Sequence, residues 1–310
     1  MILVTGGAGF IGSHLVRRLI GLGHKVALLV KDSTHLLRIQ DIVPHVSLHT
    51  GDMSDHRKLQ KIVEEIQPAG VYHLAASNIQ SGVTAGDDDV IRTNFLGTVN
   101  LLKALETHPY QFFVHSGSFL EYGPKRHPLK ETDLPEPREV YSISKLSATL
   151  AVEAAGMASG KPAITLRTFT PYGPSMQHGR LVYELVTRAL RSEVISLTDP
   201  NVTRDFIFVE DLVDLYIECM EKAKAYPGQI FNAGSGRATT LGEVAEYVLK
   251  KTVSKSTIQW GTFRTVSYDS DRWQADMEKT FASFSWRPRH TLDAGLDETI
   301  HWFQEQYSFL

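Results

Sequence analysis

TGGAGFIG, from Thr5 to Gly12, is the stretch that decides the fold. It follows the apolar run MILVT at 1–5 and precedes SHLVRRLIGLG at 13–23, which reads as a helix closed by Gly21 and Gly23. Strand, glycine-rich turn and helix in that order make a dinucleotide-binding unit. Gly6, Gly9 and Gly12 permit a tight turn, close approach of backbone to a pyrophosphate, and close packing of helix on strand. Phe10 and Ile11 open the helix, whose unpaired N–H groups and positive dipole end suit phosphate oxygens. Gly7, Gly9 and Gly12 also satisfy the G-x-G-x-x-G spacing.

Outward from this turn the pattern repeats. KVALLV (25–30), VSLHTGD (46–52), GVYHLAA (70–76), QFFVHSGS (111–118) and AITLRTF (163–169) read as strands. HRKLQKIVEEIQP (56–68) and NFLGTVNLLKALET (94–107) read as helices between them. Such alternation predicts an α/β fold, a Rossmann-type doubly wound parallel sheet with helices on both faces. Near-continuous apolar strands agree with a sheet covered on both sides. After Lys161 the rhythm loosens: beyond AITLRTF, Pro and Gly cluster in TPYGPSMQHG (170–179), and from there the segments shorten and the linkers gain Gly, Ser and Thr. We therefore expect a dinucleotide-binding domain over 1–167, with 205–223 returning to it. A smaller C-terminal substrate-binding domain is expected from 168–204 and 224–310.

The acidic residue that usually holds the adenosine ribose should close the second strand. That strand ends at Val30, followed by Lys31 and Asp32. Valine cannot accept two hydroxyls, whereas Lys31 suits a 2′-phosphate, so NADP(H) is favoured over NAD(H). Asp32, in the loop, is the feature that would favour NAD(H) instead, and a solvated charge is the plainer reading of Lys31.

Composition narrows the function classes. The chain has 310 residues, a net charge of -3 and no broad basic surface to offer nucleic acid or an anionic membrane. No apolar run approaches a membrane span. A lone cysteine, Cys219, excludes an internal disulfide and a cysteine-rich zinc site, and the 13 histidines form no metal-ligand pair. A reducing, cytoplasmic setting is expected. His73 and His115, at strand ends, read as structural hydrogen-bonders.

YSISK places Tyr141 and Lys145 four residues apart, on one face of a helix. A phenol is a poor proton carrier at neutral pH, but a neighbouring ammonium favours the phenolate. Tyr141 then exchanges a proton while a nicotinamide exchanges a hydride.

TGGAGFIG, HLAA, NFLGTVNLL, HSGSFLEYGP, YSISK, LRTFTPYGP, TRDFIFVEDL and FNAGSG occur in that order. Together they resemble the extended short-chain dehydrogenase/reductases, in the nucleotide-sugar epimerase/dehydratase branch, from Met1 to Trp286–Pro288. The resemblance implies that Ser118, four positions before Tyr122-Gly123, hydrogen-bonds the reacting sugar oxygen, completing a catalytic set with Tyr141 and Lys145. It implies that Asp52 contacts the adenine, with Met53 and Ala75 beside it in the cofactor site. It also implies that Arg204 and Arg264 clamp the nucleotide diphosphate, with Thr170 standing where an asparagine is usual. An ion pair with Asp205 is the plainer reading of Arg204.

Departures from the family narrow the chemistry. Dehydratases carry Asp-Glu where this chain has Phe119 and Leu120, and sugar-acid decarboxylases use a glutamate at the Leu120 position. Glu121, displaced by one residue, reads as facing solvent or capping a turn. The resemblance therefore implies either reduction of a 4-keto-6-deoxy sugar nucleotide or a 4-epimerase with tightly bound NAD. Val30, and the likeness of GSFLEYG to GSSEEYG-like stretches of 4-keto-sugar reductases, favour reduction. A non-catalytic NADP-binding sensor is a third reading, disfavoured because Ser118, Tyr141 and Lys145 are all present. The resemblance also implies a homodimer through the helices after Asn94 and around Tyr141, with which the apolar faces of NFLGTVNLLKAL and YSISKLSATLAVEAA are consistent. Packing on their own sheet is the plainer reading of both faces.

Overall fold

A computed structural model describes residues 1–77, 86–263 and 270–307. Along the chain run β1 (Ile2–Thr5), α1 (Phe10–Gly21), β2 (Val26–Val30), β3 (Val46–Thr50), α2 (His56–Ile66) and β4 (Gly70–His73). Next come α3 (Asp87–Ile91), a π-helical turn at Arg92–Leu96, α4 (Gly97–Ala104), β5 (Phe113–Ser118), α5 (Val140–Ser159) and β6 (Ala163–Thr168). They are followed by β7 (Thr170–Tyr172), α6 (Leu181–Leu190), β8 (Ile195–Leu197), β9 (Thr203–Phe208), α7 (Val209–Lys222) and β10 (Gln229–Ala233). The chain closes with β11 (Ala238–Thr240), α8 (Leu241–Lys251), β12 (Ile258–Trp260), α9 (Glu278–Ser283) and α10 (Leu292–Tyr307).

Seven strands form one sheet in the order β10-β6-β5-β4-β1-β2-β3. From β6 through to β3 every neighbouring pair is parallel. This is the doubly wound sheet that the alternating pattern predicts. The order reverses between β1 and β4, and ligands of such sheets bind in the crevice beyond the strand ends at that reversal. Leu3, Val4, Ala27, Leu28, Val71, Tyr72, Phe113 and Val114 are essentially inaccessible to water, which explains why the strand sequences are apolar without alternation.

Two compact units divide the chain: Met1–Glu121 with Pro137–Thr168 and Val213–Phe231, and Tyr122–Glu136 with Phe169–Leu212 and Asn232–Leu310. These boundaries differ from those expected. The returning segment begins at Val213 rather than 205, because 205–208 belongs to β9, which is flanked by β7 and β11 in a three-stranded sheet. Residues 122–136 leave the first unit because Tyr122 and Glu131 bond to Asn232, and Leu129 pairs with Ala275. The helix expected from Asn94 starts earlier, at Asp87, and Asn94 lies in the π-helical turn.

α5 begins with a reciprocal cap. The Glu139 carboxylate accepts from the Tyr141 and Ser142 amides, and the Ser142 hydroxyl accepts from the Glu139 amide. The helix buries Lys145, Ala148, Thr149, Val152 and Gly156, one stripe at helical spacing. Gly156 is needed there: a Cβ would lie 2.2 Å from the Gly228 nitrogen.

Candidate active site

The opening turn is built for close approach. Gly6 has φ +73°, and a Cβ on it would lie 2.6 Å from the Leu74 carbonyl carbon and the Ala75 nitrogen. Only glycine lets this turn lie against the chain leaving β4. A Cβ at Gly12 would lie 2.1 Å from the Gly6 oxygen, so the first turn of α1 packs directly on the loop. Gly9 caps α1 with extended backbone, and a Cβ there would meet only the Gly6 oxygen, at 3.1 Å. No side chain caps α1. Its first N–H groups and dipole end therefore remain open to an anion, and the loop fits a pyrophosphate. Phe10 is buried and Ile11 half-buried.

At the adenosine end, Val30 closes β2 with no carboxylate. Lys31 and Asp32 are exposed, and Lys31 pairs with Asp52 at 3.2 Å. Burial pushes the Asp52 carboxyl up, but the Ser54 amide and hydroxyl and the Lys31 ammonium outweigh it and hold it low. Met53 is in the apolar core, with Ala75 packed against that cluster.

Ser118 ends β5, nearly buried, and its hydroxyl oxygen accepts from the Leu120 amide at 3.3 Å. Tyr141 is half-buried in the first turn of α5. Lys145, one turn later, is 2% exposed and donates to the Ser116 carbonyl of β5. Burial pushes its ammonium down to about 8, with the Glu121 charge opposing. Asn94, which sequence reasoning passed over, fixes this helix from the other side. Its amide nitrogen donates to the Ser144 hydroxyl at 2.9 Å and to the Ser77 carbonyl, while its oxygen accepts from the Ser77 amide.

Around these groups the expectation for His73 holds, while those for His115 and Glu121 change. His73 is a hydrogen-bonder, between the Thr5 and Thr98 hydroxyls at 2.7 and 2.8 Å. Burial pushes its imidazole down to about 3, the Lys145 charge adding to this. His115 is fully buried beside it, but neither ring nitrogen has a partner among the described residues, so its hydrogen-bonding role is not seen. Glu121 caps its own turn by accepting from the Ser118 amide, but it does not face solvent: it is fully buried and pairs with Arg167 at 2.8 Å. Its position in the sequence gave no sign of this, because the partner lies on β6.

In the second unit, half-buried Thr170 sits in β7 in register with Phe206. Arg204 in β9 donates to the Thr203 and Ser270 carbonyls at 2.9 and 3.1 Å. Asp205 is turned away from it into the Ser235, Gly236 and Ala275 amides, which corrects the ion-pair reading. Arg264 lies outside the described residues. A cavity of about 1000 Å³ in this unit is lined by Tyr172, Phe208, Tyr247 and His290, among others, but by neither Thr170 nor Arg204. Among the described residues no group of three or more His, Cys, Asp or Glu could hold a metal ion. No helix among them is long and apolar enough to cross a membrane.

Comparison with known proteins agrees with this geometry. The family described as NAD dependent epimerase/dehydratase matches residues 2–234. UDP-glucuronic acid decarboxylase 1 of Arabidopsis thaliana is 30% identical over 315 positions, covering 98% of this chain and 70% of that protein. The crystal structure of UDP-glucose 4-epimerase from Thermotoga maritima with UDP-glucose superposes with a TM-score of 0.89 at 26% identity, covering 99% of each chain. That of the Thermus thermophilus UDP-glucose 4-epimerase with NAD gives 0.85 at 27% identity, covering 98% of each. The chain belongs to the NAD-dependent epimerase/dehydratase family, extended short-chain dehydrogenase/reductases whose members include nucleotide-sugar epimerases, dehydratases and decarboxylases.

Proposed function

We propose that this protein reduces the C4 ketone of a 4-keto-6-deoxy hexose carried on a nucleoside diphosphate, using NADPH. The carrying observation is what surrounds Ser118, Tyr141 and Lys145. Phe119 and Leu120 offer no proton, Glu121 is buried against Arg167, and the Glu139 carboxylate is taken up by the Tyr141 and Ser142 amides. At these described positions, elimination of water and decarboxylation both lack a second acid or base. One phenol proton suffices for carbonyl reduction.

The cofactor would lie with its pyrophosphate on Gly6, Gly9, Phe10, Ile11 and Gly12, and its adenosine near Asp52, Met53 and Ala75. When bound, it supplies the hydride. Ser118 donates to the C4 oxygen and fixes it. Tyr141 gives that oxygen its proton, and the Lys145 ammonium lowers the free energy of the phenolate left behind. Thr170, Arg204 and Arg264 are assigned to the sugar nucleotide, the two guanidinium groups to its diphosphate. The preference for NADPH rests on Val30 and on Lys31. The Lys31–Asp52 pair is about half exposed and so worth little, and the ammonium can turn to a 2′-phosphate. We further infer a homodimer through α4 and α5.

A 4-epimerase using NAD is the second reading, favoured by the likeness to two UDP-glucose 4-epimerases, one solved with NAD. The purified protein separates the two. An empty site that consumes NADPH when given a 4-keto-6-deoxy sugar nucleotide supports reduction. Co-purified NAD, with interconversion of C4 epimers and no net redox change, overturns it. Tyr141→Phe should lower kcat at least about 100-fold and leave dinucleotide affinity within about threefold. Full activity in that variant would remove the mechanism.

A further inference from the structure

A buried carboxylate remains unexplained by Ser118, Tyr141 and Lys145 alone. Glu121 lies in the short helical turn Phe119–Tyr122 that follows β5, and both of its oxygens are used. Oε1 accepts from the Ser118 amide at 2.8 Å and from the Thr149 hydroxyl at 3.0 Å. Oε2 accepts from Arg167 Nε at 2.8 Å. Gly117 makes room for the carboxylate, since a Cβ there would lie 2.9 Å from Oε1. The contacts thus reach β5, α5 and β6.

Stability alone is a poor reason for such a pair. Desolvating two charges is costly, and an apolar pair of similar volume is often as stable or more so. The partners are more telling. One is the main chain of Ser118 itself. Another, Thr149, is one turn beyond Lys145 on the same face of α5. The negative charge also acts on Lys145, opposing the effect of its burial.

We propose that Glu121 is a positioning residue for the reaction, clamped by Arg167 so that it ties Ser118 to the face of α5 bearing Lys145 and supplies the charge that balances the Lys145 ammonium. The proposal rests on the reading of Ser118, Tyr141 and Lys145 as the reacting groups. Other titratable and charged groups face this site. His73 on β4 and His115 on β5 are both in electrostatic reach of Lys145 and both neutral, since burial pushes their imidazoles down. Tyr141 lies on α5 itself. Tyr216 on α7, which burial pushes up to about 12, is in reach of Tyr141. Arg167 is on β6, beyond Glu121. Of the charged groups acting on Lys145 among the described residues, Glu121 favours its charged form.

Two variants and two readouts test this. The first readout is kcat against KM for the 4-keto sugar nucleotide. The second needs no substrate: the titration midpoint of Lys145 in protein labelled with [ε-13C]lysine, its signal assigned by its absence from Lys145→Met. Glu121→Gln should lower kcat about 10- to 100-fold with KM changed less than about threefold. It should also move the Lys145 midpoint down by about one pH unit. Thr149→Val keeps both charges of the ion pair and cuts only the tie to α5. It should lower kcat about threefold or more and leave the midpoint in place. Parental kcat and an unmoved midpoint in folded Glu121→Gln would overturn the proposal. Should that variant not fold, parental kcat in Thr149→Val would overturn it. If the parent turns over no sugar nucleotide, the proposed function fails separately, and the midpoint in Glu121→Gln still decides whether Glu121 balances Lys145.

Discussion

Lys145 shows how far function can oppose stability at a single side chain. An ammonium that is 2% exposed is displaced by burial from 10.5 to about 8, which corresponds to ~3 kcal/mol of native-state cost. Its folded value lies below its unfolded value, so the cost is full below pH 8 and disappears as pH rises past 10.5. Lys145→Met removes the cost and also the bond to the Ser116 carbonyl. At pH 7 the variant should be the more stable by about 1–2 kcal/mol in urea unfolding, while losing turnover. Its advantage should shrink between pH 8 and 10.5. A variant less stable than the parent at pH 7 would mean that the ammonium is better solvated than its burial indicates. Tyr141 and Lys145 were legible in the sequence because their relation is local, one helical turn. Glu121 was not: its partner Arg167 is 46 residues away, and only β5–β6 pairing brings them together.

Among the elements, α5 carries the most information. Its inner face holds Lys145 and Thr149, and Asn94 fixes Ser144 between Tyr141 and Lys145. Its outer face carries Ile143, Leu150 and Met157, seven residues apart and 49, 49 and 70% exposed. Ile91 and Leu96, also partly exposed, precede α4. An apolar stripe beside exposed residues of α3 and the π-helical turn is what a helical dimer interface would use. Leu150→Lys should therefore convert the dimer inferred above to a monomer in sedimentation velocity, with NADPH affinity unchanged. An unaltered sedimentation coefficient would exclude this face. The opening loop behaves differently. Gly9 and Gly12 are readable because their steric reason is internal to the βα unit, and Gly6 because its positive φ belongs to the same turn. The π-helical turn at Arg92–Leu96 left no such trace, since its residues keep an ordinary helical pattern.

At the scale of the whole molecule, strands β1 to β6 follow from apolar runs separated by helices, and their parallel pairing follows from the crossovers. β10 was harder to see: it follows β6 only after a long excursion, and its last residues fall in the other unit. The second unit was legible only as a change of rhythm, because its strands are three to six residues long and pair across distant segments. Family membership places the chain among nucleotide-sugar epimerases, dehydratases and decarboxylases without choosing between their outcomes. Direction is a property of the whole cycle, and an isotope reports it. The decisive measurement is to incubate the protein with a 4-keto-6-deoxy sugar nucleotide and NADPH deuterated at the transferring position, and to locate deuterium in the product by NMR. One deuterium at C4 is the result expected. A product without deuterium at C4, or no product at all, would contradict net reduction by this site.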